Sequence, residues 1–165
     1  MFLRPAEPED ALAVARVHVR SWQVAYRGLL PDEYLGGLRP EDRASKYNFS
    51  TRDPLHPRTI VAIREEAILG FATTRLLPDA ASGELCALYV NPDDWGQRIG
   101  ATLVAAARSH LLSLGVQDAL LWVLTGNLRA ERFYQRDGWT SDGIRRTDTV
   151  WGITVEEVLY TRRLA

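Results

Sequence analysis

The sequence is poor in cysteine and in lysine, with one residue of each among its 165 positions. The single cysteine, Cys86, excludes an intrachain disulfide and indicates a reducing compartment. Lys46 is the only lysine, so arginine supplies the other basic side chains. Lys and Arg together total 20 against 21 for Asp and Glu. Because proteins that bind nucleic acids normally carry a basic surface, this balance argues against a nucleic-acid partner.

Long apolar runs and metal-ligand patterns are also missing. No stretch approaches the roughly 18 apolar residues that cross a bilayer, and the first ten residues lack the apolar core of a signal peptide. We therefore expect a cytoplasmic protein without a membrane partner. The three histidines, His18, His56 and His110, are scattered without ligand spacing, so we expect no metal site.

What remains is the composition of an ordinary globular protein, with 46% hydrophobic and 25% charged residues. The length suits one domain that buries enough core to fold alone. We predict a single α/β domain over residues 1–165. Strand patterns cover Phe2–Arg4, Thr59–Arg64, Ala67–Leu77, Glu84–Val90, Asp118–Leu124, Gly138–Ile144 and Thr154–Leu164. Helical spacing covers Ala11–Tyr26, Pro31–Leu38, Glu41–Phe49, Gly96–Leu114 and Leu128–Arg136.

The segment from Glu84 to Val104 predicts a strand, a sharp turn at Gly96 and a helix that opens with small residues. A helix N-terminus leaves unpaired N–H groups and carries partial positive charge, so it suits a phosphate or pyrophosphate. The chain has neither G-x-G-x-x-G nor the P-loop pattern of nucleotide sites. On chemistry alone, a turn that merely fits a helix onto a sheet explains the segment equally well.

Two blocks of residues add to this chemistry. Residues Leu88 to Pro92, followed by Trp95 to Val104, resemble motif A of the GNAT N-acetyltransferase family, R/Q-x-x-G-x-G/A. The family's Arg or Gln falls on Trp95 and its first glycine on Arg98, while Gly100 fits the pattern. The spacing N-x-x-A-x-x-F-Y-x-x-x-G-[FW], from Asn127 to Trp139, is similar to motif B of the same family. Without that resemblance, the second block is an amphipathic helix with an ordinary cap.

The resemblance implies the GNAT fold, a mixed central sheet of about seven strands splayed between strands 4 and 5, with about four helices. It also implies acetyl-CoA as co-substrate. The residues that match the family's coenzyme-binding positions are Leu88, Tyr89, Val90, Trp95, Gly96, Gln97, Arg98, Ile99, Gly100, Ala101, Thr102, Asn127, Ala130, Phe133 and Tyr134. A β-bulge in the motif A strand is expected to present a backbone N–H from Leu88–Val90 to the thioester carbonyl, as an oxyanion-hole donor.

Two residues match catalytic roles. Tyr134 takes the place of the family's general acid, and a phenol can protonate a thiolate whose conjugate acid is of similar strength. Glu84 begins the motif A strand, where one branch of the family carries a catalytic glutamate, and would accept the proton of the amine. Strand alternation predicts that Glu84 shares a face with Cys86, Leu88 and Val90. The alternatives are a solvated carboxylate at Glu84, water as the base, and a small buried hydrophobe at Cys86.

The resemblance leaves the acceptor open. We expect an amine of a small molecule or a peptide, and the aromatic residues Trp22, Tyr26 and Tyr34 could form part of its pocket. The alternative is that Trp22 and Tyr26, four residues apart, merely pack on the sheet. The leading hypothesis is an N-acetyltransferase, and the alternative is a non-catalytic acyl-CoA-binding sensor on the same fold. A nucleotide- or phosphate-binding module that uses the Gly96–Ala101 helix start ranks third. A second copy of the chain, in a homodimer, is a further candidate partner.

Overall fold

A seven-stranded sheet runs through the computed structural model, which describes residues 1–79 and 81–164. Its strands are β1 (Phe2–Pro5), β2 (Arg58–Arg64), β3 (Ala67–Leu76), β4 (Gly83–Val90), β5 (Asp118–Leu124), β6 (Arg145–Val150) and β7 (Ile153–Arg163). Their order across the sheet is β1-β2-β3-β4-β5-β7-β6. The mixed α/β architecture expected from the sequence is confirmed, and the sheet has the expected number of strands.

The sheet opens in its middle. Strands β4 and β5 run parallel and pair only at Gly83–Ala119 and Glu84–Leu120. The other neighbouring strands are antiparallel and pair over four or more positions. Beyond Glu84, β4 leaves β5, so the rest of β4 has an edge without a strand partner. The expected splay between strands 4 and 5 is confirmed.

Five α-helices lie within the described residues, namely α1 (Ala11–Ala25), α2 (Asp32–Gly36), α3 (Pro40–Ala44), α4 (Ile99–Ser113) and α5 (Leu128–Arg136). Leu103, Ala107 and Leu111 of α4 belong to a core that also includes residues of α5 and one sheet face. Helix α1 covers the other face through Val14 and Val17. None of the helices in the described ranges is long and apolar enough to cross a membrane.

The last hairpin corrects a sequence prediction. Residues 138–144 do not form a strand but a connection with one isolated bridge, Thr140–Thr161. The strand that pairs with β7 is β6, which directly precedes a two-residue turn at Trp151 and Gly152, with φ of 51° and 79°. Such a turn requires positive φ at both positions and fixes the register of the hairpin. Tryptophan is not a usual residue for this conformation, so the sequence pattern missed it.

Two predicted helices also begin or end differently. Helix α4 begins at Ile99 rather than Gly96, because Gly96 and Arg98 have left-handed φ of 81° and 64°. Helix α3 ends at Ala44, well before the predicted end at Phe49. After it, the chain turns Tyr47 inward, where its hydroxyl lies 2.9 Å from Nδ1 of His18.

An aromatic cluster fastens the β6–β7 hairpin to the helices. The Trp151 ring lies 5.0 Å from that of Trp22 and 5.2 Å from that of His18, centroid to centroid. The Tyr34 hydroxyl donates to the Trp151 carbonyl at 2.6 Å. His18 is fully buried here, and burial, aided by the charge of Arg43, holds its pKa well below the ordinary value. The cluster therefore sets the position of the hairpin next to the gap in the sheet.

Candidate active site

A cavity of about 1030 Å³ lies where β4 leaves β5. The beginnings of α4 and α5 line one part of the cavity, and residues of β3, β4, β5, β6 and β7, with part of α1, line the rest. The gap in the sheet therefore connects a helix-terminus end with an end formed by strand side chains. We call these the helix end and the strand end.

A bulge in β4 shapes the middle of the cavity. Thr73 pairs with Ala87 but the next residue, Thr74, pairs with Leu85, so Cys86 is the extra residue. The expected bulge in this strand is present. It changes the alternation, so Glu84 shares a face with Ala87 and Tyr89, and the predicted common face of Glu84 with Leu88 and Val90 is wrong.

Cys86 itself does not behave as the buried hydrophobe considered above. Its side chain is exposed and borders the cavity. Partial desolvation by the cavity wall, together with the nearby charge of Glu84, raises the pKa of the thiol. The thiol therefore remains protonated at neutral pH, which makes it a poor nucleophile.

The open edge of β4 presents backbone groups to the cavity. The carbonyl of Val90 accepts from the Ser21 hydroxyl at 3.1 Å and from Trp95 Nε1 at 2.9 Å, and both donors lie outside the sheet ladder. The N–H and C=O of one strand residue point to the same side. The N–H groups of Val90 and of Leu88, two residues earlier, therefore point away from β3 and towards the gap.

The helix end is built on the first turn of α4. Arg98 caps this helix in the left-handed conformation, with φ of 64°, at the position where the GNAT motif has a glycine. A non-glycine residue pays about 1 kcal/mol or more for that conformation. Gly100 allows close packing, because a Cβ there would lie 3.2 Å from the ring of Phe133. Ile99, Gly100 and Ala101 border the cavity, and the N–H groups of a first helical turn have no partner within the helix, so they can bind an anion there.

Most residues assigned to the coenzyme border the cavity, and two do not. Gln97 accepts a hydrogen bond from Arg64 at 2.9 Å, and the Thr102 hydroxyl donates to the carbonyl of Arg98 at 3.0 Å. The residues that border the cavity are Leu88, Tyr89, Val90, Trp95, Gly96, Arg98, Ile99, Gly100, Ala101, Asn127, Ala130, Phe133 and Tyr134. The two motif blocks, 23 or more residues apart in sequence, thus meet at one site.

Arg129 is a residue at the helix end that sequence reasoning missed. Its guanidinium lies 3.6 Å from the centroid of the Trp95 ring, and both side chains border the cavity. Trp95 therefore contributes a flat surface that holds a cation beside the first turn of α4. Stacking of this kind depends on how α5 is placed against the turn before α4, so spacing along the chain could not reveal it.

Tyr134 lies on α5, whose start is capped by Asn127 through a 3.2 Å hydrogen bond from the N–H of Ala130. The Tyr134 side chain is buried and borders the cavity. Burial, with smaller contributions from Tyr89 and Asp137, raises the pKa of its phenol. Among the described residues, no hydrogen bond ties up its hydroxyl, so this group is available to a ligand in the cavity.

The strand end carries charged groups. Both Nε and Nη2 of Arg75 donate to Oε1 of Glu84, at 3.0 and 2.8 Å. Glu157 of β7 accepts from Nε of Arg146 at 3.0 Å. Burial raises the pKa of Glu157, although Arg146 lowers it. Sequence reasoning selected Glu84 and missed Glu157, because a glutamate in a terminal strand carries no motif.

The aromatic residues expected near the acceptor divide between two places. Trp22 and Tyr26 are buried and border the cavity, so they pack in the core and also line its wall. The Tyr26 hydroxyl lies 3.2 Å from that of Tyr89. Tyr34 instead packs against the hairpin turn, as described above, and is not part of the lining.

Comparisons with known proteins agree with this geometry. The model of the acetyltransferase (GNAT) family matches residues 21–139. The chain is 28% identical over 128 residues to the uncharacterized N-acetyltransferase YuaI of Bacillus subtilis, which covers 76% of this chain and 72% of that protein. It is 29% identical over 152 residues to a mycothiol acetyltransferase of Mycobacteroides abscessus, covering 92% of this chain but 47% of that protein.

The same fold recurs in solved structures. The PaiA N-acetyltransferase of Thermoplasma acidophilum, solved in complex with coenzyme A, superposes with a TM-score of 0.78 at 21% identity, over 98% of each chain. The acetyltransferase yncA of Salmonella typhimurium, solved with acetyl-CoA, gives a TM-score of 0.73 at 16% identity, over 100% of this chain and 94% of the other. Because these sequence identities are low, the similarity to the two structures shows a shared fold and nothing about the acceptor.

Proposed function

Because the chain belongs to the GNAT acetyltransferase family, we propose that it transfers an acetyl group from acetyl-CoA to a primary amine of a small molecule or peptide, by direct attack in a ternary complex. It is an N-acetyltransferase by family, with acetyl-CoA as co-substrate. Relatives named for mycothiol and for spermidine, the latter 22% identical over 152 residues, agree with an amine acceptor without identifying it.

The observation that carries the proposal is the meeting of both motifs at one cavity that passes through the sheet. The first turn of α4 at the helix end offers N–H groups to a pyrophosphate. Arg98 and Arg129, at the same end, add positive charge. The edge of β4 then leads from this anion site towards the strand end, which leaves room for an acceptor on the far side of the thioester.

Three groups supply the chemistry in this proposal. The N–H groups of Leu88 and Val90 stabilise the negative charge that develops on the thioester oxygen. The hydroxyl of Tyr134 donates a proton to the departing sulfur. Glu84 accepts the proton of the attacking amine, directly or through water. The donors are fixed by the fold before the substrate binds, so little reorganisation is needed during the reaction.

Calorimetric titration with acetyl-CoA, with ATP and NAD as controls, tests the proposal. We expect saturable binding of acetyl-CoA alone, followed by release of free thiol when a primary amine is added. Absence of binding would mean that Trp95 and Arg98 close the pyrophosphate site, and the proposal would be wrong. Binding without thiol release over a broad panel of amines would favour the sensor.

The role of Glu84 leads to a separate prediction. Substituting Glu84→Gln should lower the rate most at low pH, where the amine is protonated and a base matters most. The pH profile of kcat/KM for the amine measures this. Arg75→Gln is the matched control, because it breaks the same ion pair but keeps the carboxylate. A profile with the same shape in Glu84→Gln and wild type would assign the proton transfer to water.

A further inference from the structure

Glu84 and Glu157 project from the same face of the sheet, on either side of Trp122. Glu84 pairs with Leu120 on β5, and Glu157 pairs with Leu124 on the same strand. Directly paired residues share a face, and so do residues two apart along a strand. Trp122, between those two β5 positions, therefore lies on the face from which both glutamates project, and all three border the cavity.

The carboxylates lie deeper than the cations that pair with them. The side chains of Glu84 and Glu157 are 12% and 13% exposed, whereas those of Arg75 and Arg146 are 40% and 38% exposed. The guanidinium of Arg146 lies 4.2 Å from the centroid of the Trp122 ring and also contacts Asp148 at 3.3 Å. The arginine side chains therefore lie nearer the solvent than the carboxylates that they pair with.

Arg146 does not fully compensate the negative charge of the partly buried Glu157 carboxylate. Its pKa is raised, with burial as the largest cause, even though Arg146 acts in the opposite direction. The charges of Asp148 and Glu84 add to the rise, which means that the carboxylates repel one another. A cation placed between the carboxylates of Glu84 and Glu157 would offset the free-energy cost of their burial and would weaken their mutual repulsion.

We propose that Glu157 and Glu84, above Trp122, form the subsite that binds the ammonium group of the acceptor, with Glu157 as a binding residue. This inference rests on the proposed acetyl transfer, since the subsite adjoins the open edge of β4. In it, Glu157 holds the amine in its charged form, and Glu84 accepts the proton as the nitrogen approaches the thioester.

The charge at the strand end also selects the class of acceptor. Three carboxylates (Glu84, Asp148 and Glu157) and two guanidiniums (Arg75 and Arg146) give this group a net charge of −1, because Asp148 and Glu157 share Arg146. One ammonium group brings this net charge to zero, and a second would add to the positive charge of the more exposed arginines. The acceptor is therefore a primary amine with a single positive charge, rather than a polyamine.

The test compares Glu157→Gln with Glu156→Gln. Glutamine keeps the shape of residue 157 and its acceptor oxygen for Arg146, but removes the charge. Glu156 is the neighbouring residue, about half exposed, paired with Arg145 and outside the cavity, so it serves as the matched control. The probes are 2-phenylethylamine and alaninamide as monoamines and spermidine as a polyamine. Amine KM and kcat are measured, together with calorimetric binding of each amine to the protein saturated with coenzyme A.

In Glu157→Gln we expect the KM and dissociation constant of the monoamines to rise by about tenfold to a hundredfold, the loss of one hydrogen bond to a charged group. The value of kcat and the affinity for acetyl-CoA should stay close to wild type, and Glu156→Gln should change nothing. Wild type should prefer both monoamines to spermidine. Unchanged amine affinity in Glu157→Gln, an equal loss in Glu156→Gln, or a preference for spermidine overturns the inference. Amine binding without thiol release supports the subsite and overturns the catalytic proposal alone.

Discussion

Replacing Tyr134 by phenylalanine is expected to lower kcat by about a hundredfold to ten-thousandfold, the usual contribution of a positioned general acid. The affinity for acetyl-CoA should change little, because the ring that packs among Phe133 and Trp139 is kept. Steady-state kinetics and calorimetry measure the two effects separately. The hydroxyl is the only group removed, and it makes no hydrogen bond within the described residues.

The surroundings of Tyr134 explain why a phenol can act here. Burial raises its pKa above the ordinary value of 10, so the group stays protonated throughout the physiological range. The same low-polarity surroundings disfavour the departing thiolate, which raises the pKa of its conjugate acid as well. Donor and acceptor thus remain matched in the cavity. Because the phenol loses its proton only above pH 10, Tyr134 should cause no fall in rate as the pH rises from 7 to 10.

Tyr160→Phe provides the control for this experiment. It removes a hydroxyl from the same core, where Tyr160 donates to Glu131 at 2.8 Å, away from the cavity lining. We expect near wild-type kcat for this variant. Equal kcat in Tyr134→Phe and wild type would remove Tyr134 from the mechanism, and the proton would then come from solvent.

Local patterns in the sequence specify much of this fold. Strand β5 and helix α5 have the predicted bounds, Asp118–Leu124 and Leu128–Arg136. Both elements can be predicted from residues that are close together in the sequence. An unbroken apolar run suits a strand in the middle of a sheet, and Asn127 caps the helix that follows. The splay between β4 and β5 was available only through the family resemblance, since no local pattern encodes it.

Features that depend on contacts between distant segments were not predictable in the same way. The bulge at Cys86 exists because β3 pairs with β4 in two registers, and it reverses the face on which Glu84 lies. The turn at Trp151 and Gly152 uses a residue type that is rare at positive φ. The Trp151 ring packs against Trp22 and His18, more than 100 residues away in the sequence, and this packing stabilises the turn.

The residues of the candidate site likewise fall into two groups, those that the sequence could assign and those that it could not. Residues within the two motif blocks, such as Gly100, Asn127 and Tyr134, could be assigned because the blocks resemble motifs A and B of the GNAT family, and these residues border the same cavity. Arg129 and Glu157 could not, because they stand out only through their contacts, Arg129 with Trp95 and Glu157 with Arg146, which in turn lies over Trp122. Partners of this kind are set by the tertiary fold, and a single sequence does not display them.

Trp139→Ala is expected to lower the free energy of unfolding by about 3–5 kcal/mol, the range for removing a fully buried large aromatic side chain. Trp139 is 2% exposed in the core beneath α5. Its Nε1 donates to Oδ2 of Asp137 at 3.0 Å. That carboxylate keeps two hydrogen bonds from Arg108, both at 3.0 Å, so the main loss is the volume left empty rather than an unpaired charge. Urea denaturation of the free protein measures the change.

The substitution should also reduce catalysis in the molecules that remain folded. The Trp139 ring packs edge-on against Tyr134, with centroids 6.1 Å apart, while the backbone N–H of residue 139, which the substitution keeps, donates to the Tyr134 carbonyl at 3.0 Å. A void there lets the phenol move from the position proposed for it beside the departing sulfur, so we expect kcat to fall while acetyl-CoA binding at the proposed site at the start of α4 persists. Trp139→Phe should preserve most of both properties, because motif B of the family accepts either ring. A loss below about 1 kcal/mol in Trp139→Ala, less than the typical point mutation, would show that the core refills the space and that Tyr134 is held by α5 alone.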